Sequence, residues 1–439
     1  MNFRRRLASQ SSLLFAARVA GAGIIFVVQA AIARLWGAHI LGEFMLVMAV
    51  MSLIMAFLPL GFQTISTYFV AEYRAKNDGL MLRKFLFRAY SHVLIMGGLV
   101  IILIVPSANM FGEIGQLVKE YWLQITIIAI AIAIFYVNGA TLVGLKRPFL
   151  GFLADALFRP VLVLLSFVFA AFLFAEPALV TMMSFMSVGF VIIAIGQFFI
   201  VLKTIKQIPD MVEKRPAETK RWWRFATPWV LIAMATDFFF EINLIILSSY
   251  LEPSELAVFG VIGRIFMLVS FGVAAVYAVT LPDMFESEAN DDREGFLHKI
   301  GEANLVATAL AFVLVVGVAI GGQFILQVFG AEFISGACPL VILCGALLVR
   351  SIFGPASLVL SIHDKPFASL PAVALGLVSL VVLNYLLVPS YGLNGAAWAA
   401  LGSITIWSIA LWFTALKFAK VDVSIYSALK RNLSFSTKP

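Results

Sequence analysis

The sequence predicts an all-α integral membrane protein whose twelve transmembrane helices form two six-helix lobes. Three observations carry that expectation. Hydrophobic residues make up 62% of the 439 and charged residues 13%, with mean hydropathy +1.01; a soluble domain carries about 25% charge. Apolar runs of about 20 residues recur along the chain, each long enough to cross a hydrocarbon core. Lys and Arg gather in every second loop between those runs. A β-barrel would instead show alternating segments of about 10 residues.

Taken in order, the first run (11–35) follows Arg4-Arg5-Arg6. It exceeds the roughly 7–15 apolar residues of a signal peptide, so it reads as a membrane helix. Spans 1 and 2 (40–62) are followed by Arg74, Lys76, Arg83, Lys84 and Arg88. Spans 3 (88–108) and 4 (121–143) lead to Lys146 and Arg147. Spans 5 (149–174) and 6 (178–202) lead to Lys203, Lys206, Lys214, Arg215, Lys220, Arg221 and Arg224. Spans 7 (225–249) and 8 (256–280) lead to Arg293 and Lys299, and spans 9 (297–320) and 10 (338–361) to Lys365. Spans 11 (367–388) and 12 (394–416) precede Lys417, Lys420, Lys430, Arg431 and Lys438.

The opposite loops hold only Lys119, so 25 of the 31 basic residues mark one side. By the positive-inside rule that side, with both termini, is cytoplasmic. The net charge of +7 therefore borders a membrane and does not indicate a nucleic-acid partner. The sequon Asn432-Leu433-Ser434 falls in the cytoplasmic tail and carries no glycosylation signal.

The longest linker, about 203–224, separates six spans from six. Two weak matches link the halves. Ile40-Leu41-Gly42-Glu43-Phe44 pairs with Glu255-Leu256-Ala257-Val258-Phe259, and Lys146-Arg147-Pro148-Phe149 with Asp364-Lys365-Pro366-Phe367. Their nearly equal offsets suggest a duplicated unit, pointing the same way because six is even. The expected domains are a lobe at 1–205, a linker at 206–221 and a second lobe with a tail at 222–439. Chance similarity between apolar segments is the competing explanation.

Catalysis finds little support. The outward loops are short and carry no nucleophile–base pair, phosphate-cradling glycine loop or metal-ligand spacing. Cys338 and Cys344 share one apolar run and read as small core residues. No cofactor or metal is expected. Trp36, Tyr121-Trp122, Trp222-Trp223 and Tyr250 lie near span ends and read as interfacial anchors.

Five arginines lie inside the apolar runs: Arg18, Arg34, Arg159, Arg264 and Arg350. Placing an arginine in lipid costs about 2.5–3.5 kcal/mol on insertion scales. At a helical rise of about 1.5 Å per residue, Arg18 lies ~10 Å into span 1, Arg264 ~12 Å into span 8 and Arg350 ~18 Å into span 10. Guanidinium stays charged and grips phosphate bidentately. Arg34 has an interfacial explanation. Arg159 has Asp155 one turn earlier and can be neutralised there. Arg18, Arg264 and Arg350 have no acid within one turn and are candidate anion ligands, with Arg159 kept beside them.

Asp237 and Glu241, four residues apart on span 7, are candidate coupling acids, with Asp155 a third. Two carboxylates at one face in low dielectric resist ionising together, so one can hold a proton. Pairing with Arg264 or Arg350 is the structural alternative. Gly354-Pro355, just beyond Arg350, is the candidate hinge; Pro59-Leu60-Gly61, Pro160 and Pro228 are further kink positions, with static packing kinks as the alternative.

Four stretches resemble one family. Ala33-Arg34-Leu35-Trp36-Gly37 through Leu41-Gly42-Glu43-Phe44 is similar to the start of Wzx-type (O-antigen) polysaccharide flippases. Tyr250-Leu251-Glu252-Pro253-Ser254-Glu255-Leu256-Ala257-Val258-Phe259 resembles their span 7–8 loop, and Phe329-Gly330-Ala331-Glu332-Phe333 their segment before span 10. Pro389-Ser390-Tyr391-Gly392-Leu393-Asn394-Gly395-Ala396-Ala397, the most specific, resembles their span 11–12 connection. Glu252 and Ala257 depart from usual glycines, and Asn243 stands where Asp is frequent.

The resemblance implies the MATE-like fold of the multidrug/oligosaccharidyl-lipid/polysaccharide (MOP) superfamily, with two lobes around a central cavity and alternating access. It implies a flippase in the bacterial inner membrane, moving an oligosaccharide linked to undecaprenyl diphosphate. A coupling ion (H+ or Na+) and polysaccharide assembly proteins would be its partners. It also implies that Arg18 and Arg264, on the first and eighth spans, meet the diphosphate. A cation-coupled multidrug exporter on the same fold is the alternative. A membrane glycan polymerase or ligase is a third, expecting a long outer loop that is missing.

Overall fold

The computed structural model describes residues 3–110, 112–173, 179–209, 216–290, 292–363, 365–427 and 429–430. Lys214, Arg215, Asp364, Arg431, Lys438 and Asn432-Leu433-Ser434 lie outside the described residues, as does part of 206–221. Contacts divide the chain into two compact units, Met1–Glu241 and Ile242–Pro439.

In the first unit, α1 (Phe3–Trp36) ends at Gly37, whose φ of 92° breaks the helix before α2 (Ala38–Phe57). Leu60 and Gly61, with φ of 49° and 84°, separate α2 from α3 (Phe62–Ala75). The Asp78 carboxylate accepts from the Met81 N–H at 2.9 Å and so caps α4 (Gly79–Ala108). The long helix α5 (Gly112–Gly144) packs on α2, α3, α4 and α8 (Leu179–Ile205). Between α5 and α8, α6 (Pro148–Leu153) passes through a π-helical turn (Ala154–Phe158) into α7 (Arg159–Leu173). α9 (Thr219–Thr236) returns to pack on α3 and α2.

The π turn has an identifiable neighbour. Pro160 has no N–H, so the Ala156 carbonyl lacks its ordinary helical donor. Gly21 of α1 approaches that oxygen so closely that a Cβ there would collide with it, and would also meet Pro160 Cγ at 2.9 Å. Only glycine lets α1 lie on the turn this tightly.

α10 (Phe239–Leu247) begins the crossing into the second unit. There α11 (Pro253–Ala289) opens where the Glu252 N–H donates to Glu255 at 3.3 Å. α12 (Arg293–Gln327) is capped by Asp292, which accepts from the Gly295 N–H at 2.9 Å. α13 (Ala337–Phe353) stops at Gly354 (φ 78°), and α14 (Ala356–Ile362) starts after Pro355. α15 (Leu370–Phe418) is one run divided by Gly392, with φ 52° and ψ −130°.

Among the described residues, ten helices are long and apolar enough to cross a membrane. Gly392 splits one of them into two spans, and the broken pair α9–α10 supplies another crossing, which accounts for the twelve. Large apolar side chains such as Phe172 (76% exposed) and Val279 (77%) are left exposed in each unit, as an apolar solvent permits.

After α15 the chain turns back into the second unit. Val421 and Val423 are buried among Met284, Phe296, Ile300, Ala356 and Val359. This strap fixes the α13–α14 break: the Asn304 Nδ2 donates to the Val423 carbonyl at 3.0 Å, and that oxygen abuts Gly354. Arg293 donates to the Lys420 carbonyl at 3.2 Å and Lys365 to the Phe418 carbonyl at 2.8 Å. Three segments assigned to the basic side from charge alone therefore meet.

Three expectations change. Trp222 is buried rather than interfacial: its Nε1 donates to the Tyr73 hydroxyl at 2.7 Å and its ring packs on Phe85. Tyr121 is buried too. Cys344 is buried as expected, but Cys338 is exposed because the first turn of α13 turns it outward.

Candidate functional site

The first unit assembles a charged cluster from three helices and the π turn. Arg159, at the start of α7, donates through Nη1 to the Tyr136 hydroxyl at 3.0 Å and to Asp155 at 3.4 Å. Tyr136 comes from α5, Asp155 from the π turn. Arg18 of α1 lies over the Phe152 ring, 5.4 Å from its centroid. Phe152, Asp155 and Arg159 follow at three- and four-residue spacing, so they share one face. Gly21, three residues beyond Arg18, seats α1 on that face. Glu241 adds to the electrostatic field at Arg159.

The charges in this cluster are not equivalent. Arg159 is a quarter exposed and partnered. Arg18 is exposed, and among the described residues no acid pairs with it. A guanidinium stacked on an aromatic face keeps its N–H edge free for an anion.

In the second unit, Arg350 stands in the last turn of α13, where the helix C-terminus favours a cation. It is exposed despite its depth in the span, and no acid pairs with it among the described residues. It lies within electrostatic reach of Tyr277. The Tyr277 hydroxyl donates to Asn304 at 2.7 Å, and Asn304 in turn holds the strap at Val423. Arg264 is half-buried on α11 and engaged with neighbouring groups.

The carboxylates of span 7 do not form the single helical face expected from their spacing. The helix breaks at Asp237 and Phe238; Asp237 is exposed at the break, and Glu241 sits in the first turn of α10. Asp237 also interacts with neighbouring groups. A membrane helix tolerates such a break only where protein or water meets its backbone. Farther along, Asn384 donates to Asn243 at 2.8 Å and to the Leu380 carbonyl at 2.9 Å, with both amides fully buried. Among the described residues no group of three or more His, Cys, Asp or Glu could hold a metal ion.

Outside the spans, Arg221 ties α9 to α3. It donates to the two Glu72 oxygens at 3.1 and 2.8 Å and to Glu218 at 2.7 Å, above the Phe69 ring. Burial pushes the Glu72 carboxyl up, but Arg221 and Lys76 outweigh it and leave the pKa below the usual range.

Sequence reasoning named both arginines and the acid of the first cluster but missed Tyr136, Phe152, Tyr277 and Asn304. Phe152 was legible as the residue one turn before Asp155. Tyr136, Tyr277 and Asn304 come from other helices and carried no local signal.

The profile of the polysaccharide biosynthesis protein family matches residues 7–288, well over half of the chain. The chain belongs to that family. A search of curated protein sequences gives no match. Among solved structures, this family member is similar to a multidrug resistance MATE transporter of the MOP superfamily in an inward-facing conformation. The TM-score is 0.76 at 16% identity, covering 92% of this chain and 98% of the other. It is also similar to the lipid II flippase MurJ, at TM-score 0.74 and 17% identity over 96% and 90%. A MOP superfamily transporter from Pyrococcus furiosus, described as having a binding pocket of reverse polarity, gives 0.64 and 15% over 94% and 95%. At these identities the likeness establishes the fold. It is the MOP fold, in a multi-pass membrane protein.

Proposed function

We propose that this protein flips a polyprenyl-diphosphate-linked oligosaccharide from the cytoplasmic to the periplasmic leaflet of a bacterial inner membrane, for surface polysaccharide synthesis. One observation carries the reading: Arg18 and Arg350, one from each unit, are exposed within apolar spans, and no acid pairs with either among the described residues. A cation left accessible within an apolar span is costly unless an anion or water reaches it. Membership in the polysaccharide biosynthesis family supports a glycan carrier, and the MurJ-like fold supports a lipid-linked one.

In this reading Arg18, Arg264 and Arg350 hold the diphosphate while the polyprenyl tail stays in lipid. Alternating access of the lobes 1–205 and 222–439 moves the head, with no bond made or broken. Asp237, Glu241 and Asp155 are the candidate acids for a proton or cation. Both termini face the cytoplasm by the positive-inside rule.

A deletion strain tests the reading. The expected result is accumulation of a lipid-linked repeat unit facing the cytoplasm, with loss of surface glycan. Normal surface glycan with reduced dye efflux would instead establish a cation-coupled multidrug exporter.

A further inference from the structure

We propose that Asp155 is a displaceable counter-ion: the anionic head takes its place on Arg159, and the freed carboxylate takes up a proton. The inference rests on the flippase reading and assigns a charge-balancing step to its first-unit site.

Position makes the argument. Along the shared face, Phe152 with Arg18 stacked on it, Asp155 and Arg159 follow one another in that order. A diphosphate that reaches both guanidiniums must lie against Asp155. The Asp155–Arg159 contact is long at 3.4 Å, and the carboxylate is 43% exposed, so the pair is open to exchange. Tyr136 also holds Arg159, at 3.0 Å, so the guanidinium keeps a partner when the carboxylate leaves. The π turn that carries Asp155 is a local departure from the α-helical ladder, a feature common at functional sites.

The electrostatics fix the sign. Arg159 of α7 and Tyr136 of α5 meet Asp155; Arg18 of α1 stands over Phe152, three residues earlier, Glu241 of α10 acts electrostatically on Arg159, and α6 carries no charge. With the site empty, Arg159 neutralises Asp155. With a diphosphate on Arg159, Asp155 faces an anion. Like charges this close favour the protonated acid. The step is balanced: Asp155 leaves its hydrogen bond to Arg159, a diphosphate oxygen accepts that donor, and a solvent proton adds to the carboxylate. Arg159 is thus paired in the empty and the loaded carrier alike, avoiding an uncompensated charge in the membrane. By linkage, diphosphate binding tightens as pH falls.

The test uses the purified full-length protein and farnesyl diphosphate as probe. Titrations at one pH in two buffers of different ionisation enthalpy give protons taken up per probe bound. Wild type is expected to take up about one proton more than Asp155→Asn, as linkage requires when a single group changes state. The probe's own titration is common to both and cancels. Asp155→Asn is expected to bind at least as tightly as wild type and to lose the pH dependence. Asp237→Asn and Glu241→Gln are expected to keep the wild-type uptake. Equal uptake in wild type and Asp155→Asn, with binding intact in both, overturns the inference. Binding unchanged in Arg18→Ala and Arg350→Ala instead overturns the diphosphate reading beneath it. Unchanged melting temperature and monodispersity confirm that each variant is folded.

Discussion

Arg159 of the first unit and Arg350 of the other both lie in long apolar runs, but only Arg159 has an acid one turn away in sequence. The structure treats them in opposite ways. Arg159 is held by Asp155 and Tyr136; Arg350 has no acid against it among the described residues and only Tyr277 in electrostatic reach. Depth in a span therefore does not decide whether a charge is available. The neighbours decide it: for Arg159, Asp155 one turn back and Tyr136 from another helix.

The sharpest way to break that contrast is to remove each arginine in turn. Arg350→Ala is expected to abolish complementation of a deletion strain while leaving the melting temperature unchanged, since no partner is orphaned. Arg159→Ala is expected to destabilise the protein by roughly 1–2 kcal/mol, because the Tyr136 hydroxyl and the partly solvated Asp155 carboxylate both lose their partner. Thermal melts of both variants in detergent, beside complementation, read this out. Equal stability losses would erase the distinction.

Gly21→Val tests whether the packing of α1 on the π turn keeps Arg18 and Arg159 on one face. The added side chain meets the Ala156 carbonyl and Pro160, so a stability loss of about 2–3 kcal/mol is expected, typical of overpacking. Wild-type melting behaviour in that variant would show that α1 is seated elsewhere.

Asn304→Ala probes the corresponding support in the second unit. It removes the acceptor for Tyr277 and the donor to Val423, and a loss of about 2 kcal/mol is expected from the buried groups left unpaired. Limited proteolysis should then cut the strap at 420–424 faster than in wild type. An unchanged cleavage rate would mean that the strap holds without Asn304.

The smallest effect is expected at the staple between α3 and α9. Arg221→Ala should cost about 1 kcal/mol, since the pair is partly solvated. Glu72 has a lowered pKa in the fold, so its stabilisation is present above the ordinary carboxylate range and is lost as pH falls through the folded value. Wild-type stability should drop more steeply than that of Arg221→Ala below about pH 4. Parallel pH profiles would contradict the staple.

Much of the fold was legible because hydropathy reports lipid contact directly. The span 11–12 boundary fell between 388 and 394, and the helix turns at Gly392. Less legible were helices that outrun the bilayer, such as α4, which starts at Gly79 rather than at 88. Its first turns carry Arg83, Lys84 and Arg88 among apolar residues, and those charges place a helical stretch among the loops. The break at Asp237 was hidden for a different reason: the residues on either side are apolar, so the run looks continuous. In the site, Arg18, Asp155 and Arg159 stood out as charges in apolar runs. Tyr136 and Asn304 did not, since amphipathic side chains are ordinary in such runs and only tertiary contacts give them roles.

The most direct measurement is reconstituted flipping. Proteoliposomes carrying a fluorescent short-chain polyprenyl diphosphate are treated with a membrane-impermeant quencher of the outer leaflet. Wild-type protein is expected to make the inner-leaflet probe accessible, while Arg18→Ala and Arg350→Ala, folded and inserted, are expected to leave it protected. Equal flipping by wild type and both variants would contradict the assignment of these arginines to the diphosphate head.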